Sequence, residues 1–264
     1  MGKTAIQWTD YTWNPVTGCT KVSEACQHCY AERMARRLAG RAGYPSDEPF
    51  RVILRPERLQ ELAGKKPGRV FVVSMGDLFH PDVPRSYIGL VWLAMMNAHQ
   101  HTYQILTKRP ERLLEWTRQL ADMKGWPIED IWPRNVWLGV TAENQARLEE
   151  RWGYLAQVPA AVRFISAEPL LGPLDLGGKL RDHDWERGTP GGISWVIVGG
   201  ETGPGARPMH PDWVRDIRDQ CREAGVPFFF KRMGDAWRRS GQPEPEDLLV
   251  REFPRKVWDV DANS

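Results

Sequence analysis

Short apolar runs alternate along this chain with stretches in which apolar side chains return every three or four residues. The runs fall at 70–74, 103–107, 136–141, 162–166, 195–199 and 227–230, and the helix-period stretches near 29–39, 85–98, 110–121, 144–156 and 211–224. A continuous apolar run suits a strand covered on both faces, so the alternation predicts a parallel sheet with crossover helices. The helix over 211–224 is the clearest. Pro211 suits a first turn, Gly225 a stop, and Trp213, Val214, Ile217 and Cys221 share one face, which makes Cys221 a core thiol.

Each run leads into residues that carry charge or donate hydrogen bonds. In chain order they are Ser74, Asp77 and His80; Thr107, Lys108 and Arg109; Thr141, Glu143 and Asn144; Ser166 and Glu168; Glu201 and Arg207; and Lys231 with Arg232. The carboxyl ends of parallel strands share one face, so these tips describe a composite site. For Ser, Thr, Asp and Asn the competing role is a helix cap or a loop-closing bond. For Lys108, Arg109, Glu143, Glu168, Glu201 and Lys231 it is a buried ion-pair network.

A chain of 264 residues, 41% hydrophobic, is long enough for one large core. The expected organisation is one α/β unit over 1–235 carrying an N-terminal cysteine loop, with a short extension over 236–264 packed on it. Residues 182–192 read as a polar, glycine-rich loop. No apolar run approaches a membrane span and the N-terminus lacks a signal-peptide core, so a cytoplasmic protein with no membrane partner is expected.

That setting matters for the cysteines. Cys19, Cys26 and Cys29 form a C-x6-C-x2-C cluster ahead of the first helix. Three thiols on one tight loop cannot all pair with one another, and reduced thiols of this spacing point to metal ligation. Zinc and an iron–sulfur cluster both fit the spacing. Zinc needs a fourth protein ligand, with His28, His80, His101 and His210 as candidates, whereas a three-thiolate cluster leaves one iron open. The glycines of VGGETGPGAR match neither G-x-G-x-x-G nor a P-loop and predict close backbone approach to a ligand. The H-E-x-x-H, G-x-S-x-G and zinc-deaminase patterns are absent.

Net charge is only +2, but residues 1–70 carry twelve Lys or Arg against seven Asp or Glu. Arg33, Arg36, Arg37, Arg41, Arg51, Arg55 and Arg58 therefore form either a basic face or an ordinary solvated one. Of the 13 Trp, most read as core, while Trp8 and Trp13 flank the cysteine loop and either wall a pocket or pack beneath it.

The stretches WTDYTWNPVTGCTKVSEACQHCYAER, SMGDLFHPDVP, ILTKRPERL, NVWLGVTAENQ, SAEPLLGPL and VIVGGETGPGARPMHPDWVRDIRDQC closely resemble a widespread phage and bacterial family of three-cysteine-motif proteins of unknown function. That family is similar to a divergent branch of the radical S-adenosylmethionine (SAM) enzymes. The resemblance implies a partial (β/α) barrel and a [4Fe–4S] cluster held by Cys19, Cys26 and Cys29. It also implies SAM on the open iron, cleaved to methionine and a 5′-deoxyadenosyl radical. By position, Ser74 and Asp77 would receive the SAM amino group, and Lys108 or Arg109 the carboxylate. Thr141, Glu143, Asn144, Ser166 and Glu168 would reach the ribose, with Glu201 and Lys231 toward substrate as catalytic groups. The usual motif has C-x3-C spacing and an aromatic before the last cysteine; here the gap is six residues and His28 takes that place.

The rival expectation is a zinc-stapled nucleic-acid-binding protein without redox chemistry, which leaves the polar strand tips unexplained. A metal-dependent hydrolase is weaker, because no His-rich set falls at the strand ends. Nucleic acid and a partner protein both remain open as partners.

Overall fold

The structure, a computed structural model, describes residues 1–180 and 192–254. The loop expected at 182–192 lies, except for its last residue, outside the described residues.

An eight-stranded, mostly parallel sheet forms the centre. β1 (Gly2–Lys3) and β2 (Tyr11–Trp13) pair antiparallel at one edge, and β3 (Val16–Thr17) leaves to form a separate two-stranded ribbon with β4 (Ile53–Leu54). The parallel part then runs in strict chain order from β2 through β5 (Arg69–Val72), β6 (Thr102–Thr107), β7 (Val136–Thr141), β8 (Val162–Ala167) and β9 (Trp195–Gly199) to β10 (Phe228–Arg232). The helices are α1 (Tyr30–Arg37), α2 (Arg85–Asn97), α3 (Pro110–Lys124), α4 (Gln145–Leu155), α5 (Pro211–Glu223) and the short α6 (Asp235–Arg239). β1 does not pair with β10, so the described sheet is open rather than a closed barrel.

The strand alternation sorts the core into two layers. Val70, Ile105, Leu138, Ile165, Val196 and Phe230 pack with the apolar stripes of α2, α3, α4 and α5. Successive right-handed crossovers in one direction place these helices on one face. The alternate residues, Trp137, Val162, Phe164, Trp195, Ile197 and Phe229, build a second cluster with Trp8 on the other face, and no helix contributes to it. Gly139 faces the Phe164 ring, where a Cβ would overlap it.

Past β10, the chain turns through α6 and returns. Phe230 N donates to Val250 O at 2.8 Å and Glu252 N to Phe228 O at 2.9 Å, so the segment around Arg251 covers the β10 edge.

Candidate metal and ligand site

A cavity of about 630 Å³ opens at the carboxyl ends of the parallel strands. Cys19, Cys26 and Cys29 all line it. So do Ser74, Asp77, Lys108, Arg109, Thr141, Ser166, Glu168, Glu201 and Lys231 among the residues expected from the strand tips; Glu143 and Asn144 do not.

The cysteine loop sits here because its first glycine allows it. Gly18 has a φ of 89°, and a Cβ there would strike the Arg51 carbonyl. Gly18 N donates to Met75 O at 2.8 Å and Cys19 N to Phe50 O at 3.1 Å. The segment it meets after β5 is itself unusual: Val73, β-branched, has a φ of 59° and is held there by Trp13 O at 2.7 Å.

All three thiols are free of disulfides. Burial and then Asp77 push the Cys19 thiol up to about 11, although Arg109 works against them. Burial also raises Cys26, but the Lys108 charge and hydrogen bonds from the backbone at Val22 and Ser23 outweigh it, leaving that thiol below its ordinary value. Three soft donors on one short loop, facing one cavity, suit iron–sulfur or zinc chemistry. Among the described residues, no three His, Cys, Asp or Glu side chains are arranged to hold a single metal ion.

A buried polar network fixes this loop to the sheet. Asp77 Oδ1 accepts from Thr107 Oγ1 at 2.8 Å and Phe79 N at 3.0 Å, and Oδ2 from Lys108 N at 3.2 Å and Arg109 Nη1 at 3.0 Å. Its four acceptor positions are thereby taken. Arg109 also donates to Cys19 Sγ at 3.3 Å and to Thr20, whose hydroxyl meets His80 at 2.8 Å. The pair expected to meet SAM thus acts as a clamp on the cysteine loop.

Glu143 is a second clamp. Fully buried, it pairs with Arg151 at 2.7 Å and accepts from Ala25 N at 3.4 Å. Asn144 caps α4, accepting from Arg147 N at 3.0 Å. On the far side, Glu201 holds His28 Nδ1 at 2.9 Å and both the guanidinium and backbone N of Arg207. Burial raises the Glu201 carboxyl, but the Arg207 and His28 bonds outweigh it and hold it at about 2. Glu168 and Lys231 pair with each other. Ser74 Oγ donates to Asn14 Oδ1 at 3.2 Å.

The glycine loop is explained by the protein's own packing. A Cβ on Gly200 would strike the Met233 carbonyl, and one on Gly203 the Arg33 guanidinium. The close approach expected toward a ligand is to neighbouring chain.

Thr141, Ser166 and Lys108 are among the groups that remain open to the cavity. Thr141 and Ser166, 1% and 2% exposed, sit opposite each other across β7 and β8, and neither hydroxyl has a hydrogen-bond partner among the described residues. Lys108 likewise forms no ion pair there. Trp8, Phe71 and Leu106 give the cavity an apolar floor, whereas Trp13 is fully buried with its Nε1 on Arg58 O.

The expected basic face is largely dispersed. Arg55 is buried against Thr17 and Gly43, Arg58 meets Asn14 O, Arg33 meets Thr202 O and Arg36 pairs with Glu32. Cys221 is fully buried, and burial pushes its thiol up to about 12. Arg151 and Arg207 were not singled out as loop anchors from the sequence. For Arg151 a signal existed: it shares the buried stripe of α4 with Leu148 and Leu155, and a cation on an apolar stripe calls for a buried carboxylate.

No helix among the described residues is long and apolar enough to cross a membrane. No curated protein and no solved structure matches the chain. Residues 3–260 match the family described as Protein of unknown function (DUF5131), and the chain belongs to that family.

Proposed function

We propose that this protein is an iron–sulfur enzyme of the radical SAM type, with the open sheet forming a partial (β/α) barrel and Cys19, Cys26 and Cys29 holding a [4Fe–4S] cluster. The observation that carries the reading is that one loop brings three free thiols to the same cavity that receives the strand ends. A cubane asks for a different arrangement from a single ion, because each thiolate binds its own iron. When bound, cluster and SAM together supply the electron and the 5′-deoxyadenosyl radical that abstracts hydrogen from a substrate.

The chain's own residues then divide into three groups. Lys108, with no carboxylate partner, matches the SAM carboxylate, and the open Thr141 and Ser166 hydroxyls match its ribose. Asp77, Arg109 and Glu143 orient the loop. The Arg109 N–H on Cys19 Sγ also stabilises charge on that sulfur, the kind of hydrogen bond that adjusts a cluster's potential. Glu168, Lys231 and Glu201 stay on the substrate side of the cavity.

A specific observation favours a second reading. His28 lies between two cysteines with Nδ1 on Glu201, the carboxylate–histidine arrangement common at zinc, which makes a Cys3His zinc site the alternative, one that requires the three thiols and His28 to draw together from their present positions. Anaerobic purification with iron, sulfide and zinc quantification separates the two. The radical SAM reading expects brown protein with about four irons per chain, and a reduced EPR signal that shifts on adding SAM. Colourless protein with one zinc would overturn it and favour the structural staple.

A further inference from the structure

We propose that the mouth of this cavity binds a single nucleic-acid strand, with a base stacked on Tyr30 and the backbone phosphates held by Arg37 and Arg232. The inference rests on the reading that this cavity is the protein's ligand site, and names the ligand class; it does not depend on which metal the cysteines hold.

The first support is a helix stripe. Tyr30, Arg33 and Arg37 are spaced i, i+3, i+7 on α1, so they share one face, and all three line the cavity. Tyr30 is 54% exposed, an apolar ring presented to solvent beside cations. An aromatic interleaved with arginines is the arrangement that stacks a base while following its phosphates.

The second support is charge. Seven Lys or Arg line the cavity against four carboxylates. Each carboxylate is engaged: Asp77 by Arg109, Glu168 by Lys231, Glu201 by Arg207, and Asp235 by Arg238 and the Gly203 N–H. Arg37, Lys108 and Arg232 form no ion pair among the described residues. Lys108 lies close enough to Cys26, and Arg232 to Asp235, for their charges to interact; Asp235 is already held by Arg238 and the Gly203 N–H, so Arg37 and Arg232 keep their hydrogen-bonding capacity for a ligand outside the cluster. An unbalanced positive rim around a cavity of nucleoside size calls for an anion with a planar face. A simple carboxylate or phosphate would leave Tyr30 unused.

The test is fluorescence anisotropy of labelled 12-residue DNA and RNA strands against the full protein over a salt series. Binding to either strand is expected, with a duplex of the same sequence weaker. Tyr30→Ala should weaken it about tenfold, with Tyr30→Phe restoring it. Arg37→Ala and Arg232→Ala should each weaken it and reduce the salt slope by about 0.7. Arg222→Ala, a paired residue on the exposed side of α5, should change nothing. No binding by wild type at low salt, or binding indifferent to these variants, overturns the proposal. So does competition by a mononucleotide as effective as the strand, which would make a free nucleotide the ligand. Metal is quantified on the same samples: strand binding by colourless protein would sink the cluster reading alone, and brown protein that ignores the strand would sink this one alone.

Discussion

Along the inner face of the sheet, the same strands present two chemistries within a few residues. At their amino ends, Phe164, Trp137, Phe229 and Trp8 crowd around Trp195, with ring centroids 5.6 to 6.2 Å from it. At their carboxyl ends, the next residues of the same period-two rows are Ser166 on β8 and Lys231 on β10, and Thr141 stands beyond Gly139 on β7. One end is filled by packed rings; the other has two hydroxyls with no protein partner and a lysine paired with Glu168. Stability and ligand room are thus separated along each strand, and the cysteine loop joins only the second.

The comparison is broken most directly by removing its central ring. Trp195→Ala should cost about 4 kcal/mol, as expected for deletion of a fully buried aromatic. Denaturant unfolding measures the loss. Metal content per folded chain should be unchanged, and loss of metal in the folded fraction would mean that the two ends are not separable.

Glu143→Ala should cost less, about 3 kcal/mol, by leaving Arg151 as an unpaired buried cation. Its second effect separates it from the tryptophan. Because Glu143 also accepts from Ala25 N, this variant should retain less metal, and Arg151→Met in the same chain should recover stability without recovering metal. Full metal retention in Glu143→Ala would remove it as a loop anchor.

How much of this was legible follows the same division. The strand over 136–141 and that over 195–199 stand where the apolar runs put them, and the helix stripes of α2 to α5 fall within a few residues of their expected places. These elements announce themselves through burial, which repeats along the chain. β1 and β4, two residues each, are too short to show a period. In the site, the three thiols and the strand tips were legible as residue types at one end of the sheet. Which tips face the cavity was not, because an Asp that clamps a loop and an Asp that meets a ligand look alike in sequence. Asp77, although it lines the cavity, commits its oxygens to Arg109 and its neighbours from a distant strand end, Glu143 turned to Arg151 on the following helix, and Asn144 went to a local cap.

A smaller effect sharpens the polar end. Glu201 has its carboxyl held at about 2 against an ordinary 4.5. A depressed folded value means its stabilisation is complete above about pH 4.5 and is lost as pH falls through 2. Glu201→Gln should therefore flatten the pH dependence of unfolding free energy across that window, read by denaturant melts at several pH values. An unchanged slope would show that the Arg207 and His28 bonds form equally well without the charge.

The smallest expected change in stability is the most discriminating. Thr141 and Ser166 are buried residues whose hydroxyls have no protein partner but open onto the cavity, so replacing them with apolar groups leaves no protein hydrogen bond unmade. If they are there only to fill space, Thr141→Val and Ser166→Ala should stabilise the protein or leave it unchanged, within about 1 kcal/mol, and alter nothing else. If they are held ready for a ligand, the same variants keep that neutral or positive stability yet weaken SAM binding about tenfold by calorimetry on metal-loaded protein, the loss expected for removing one ligand hydrogen bond. A destabilisation of several kcal/mol would mean that each hydroxyl already has a structural partner, and an unchanged affinity would take both residues out of the ligand's reach.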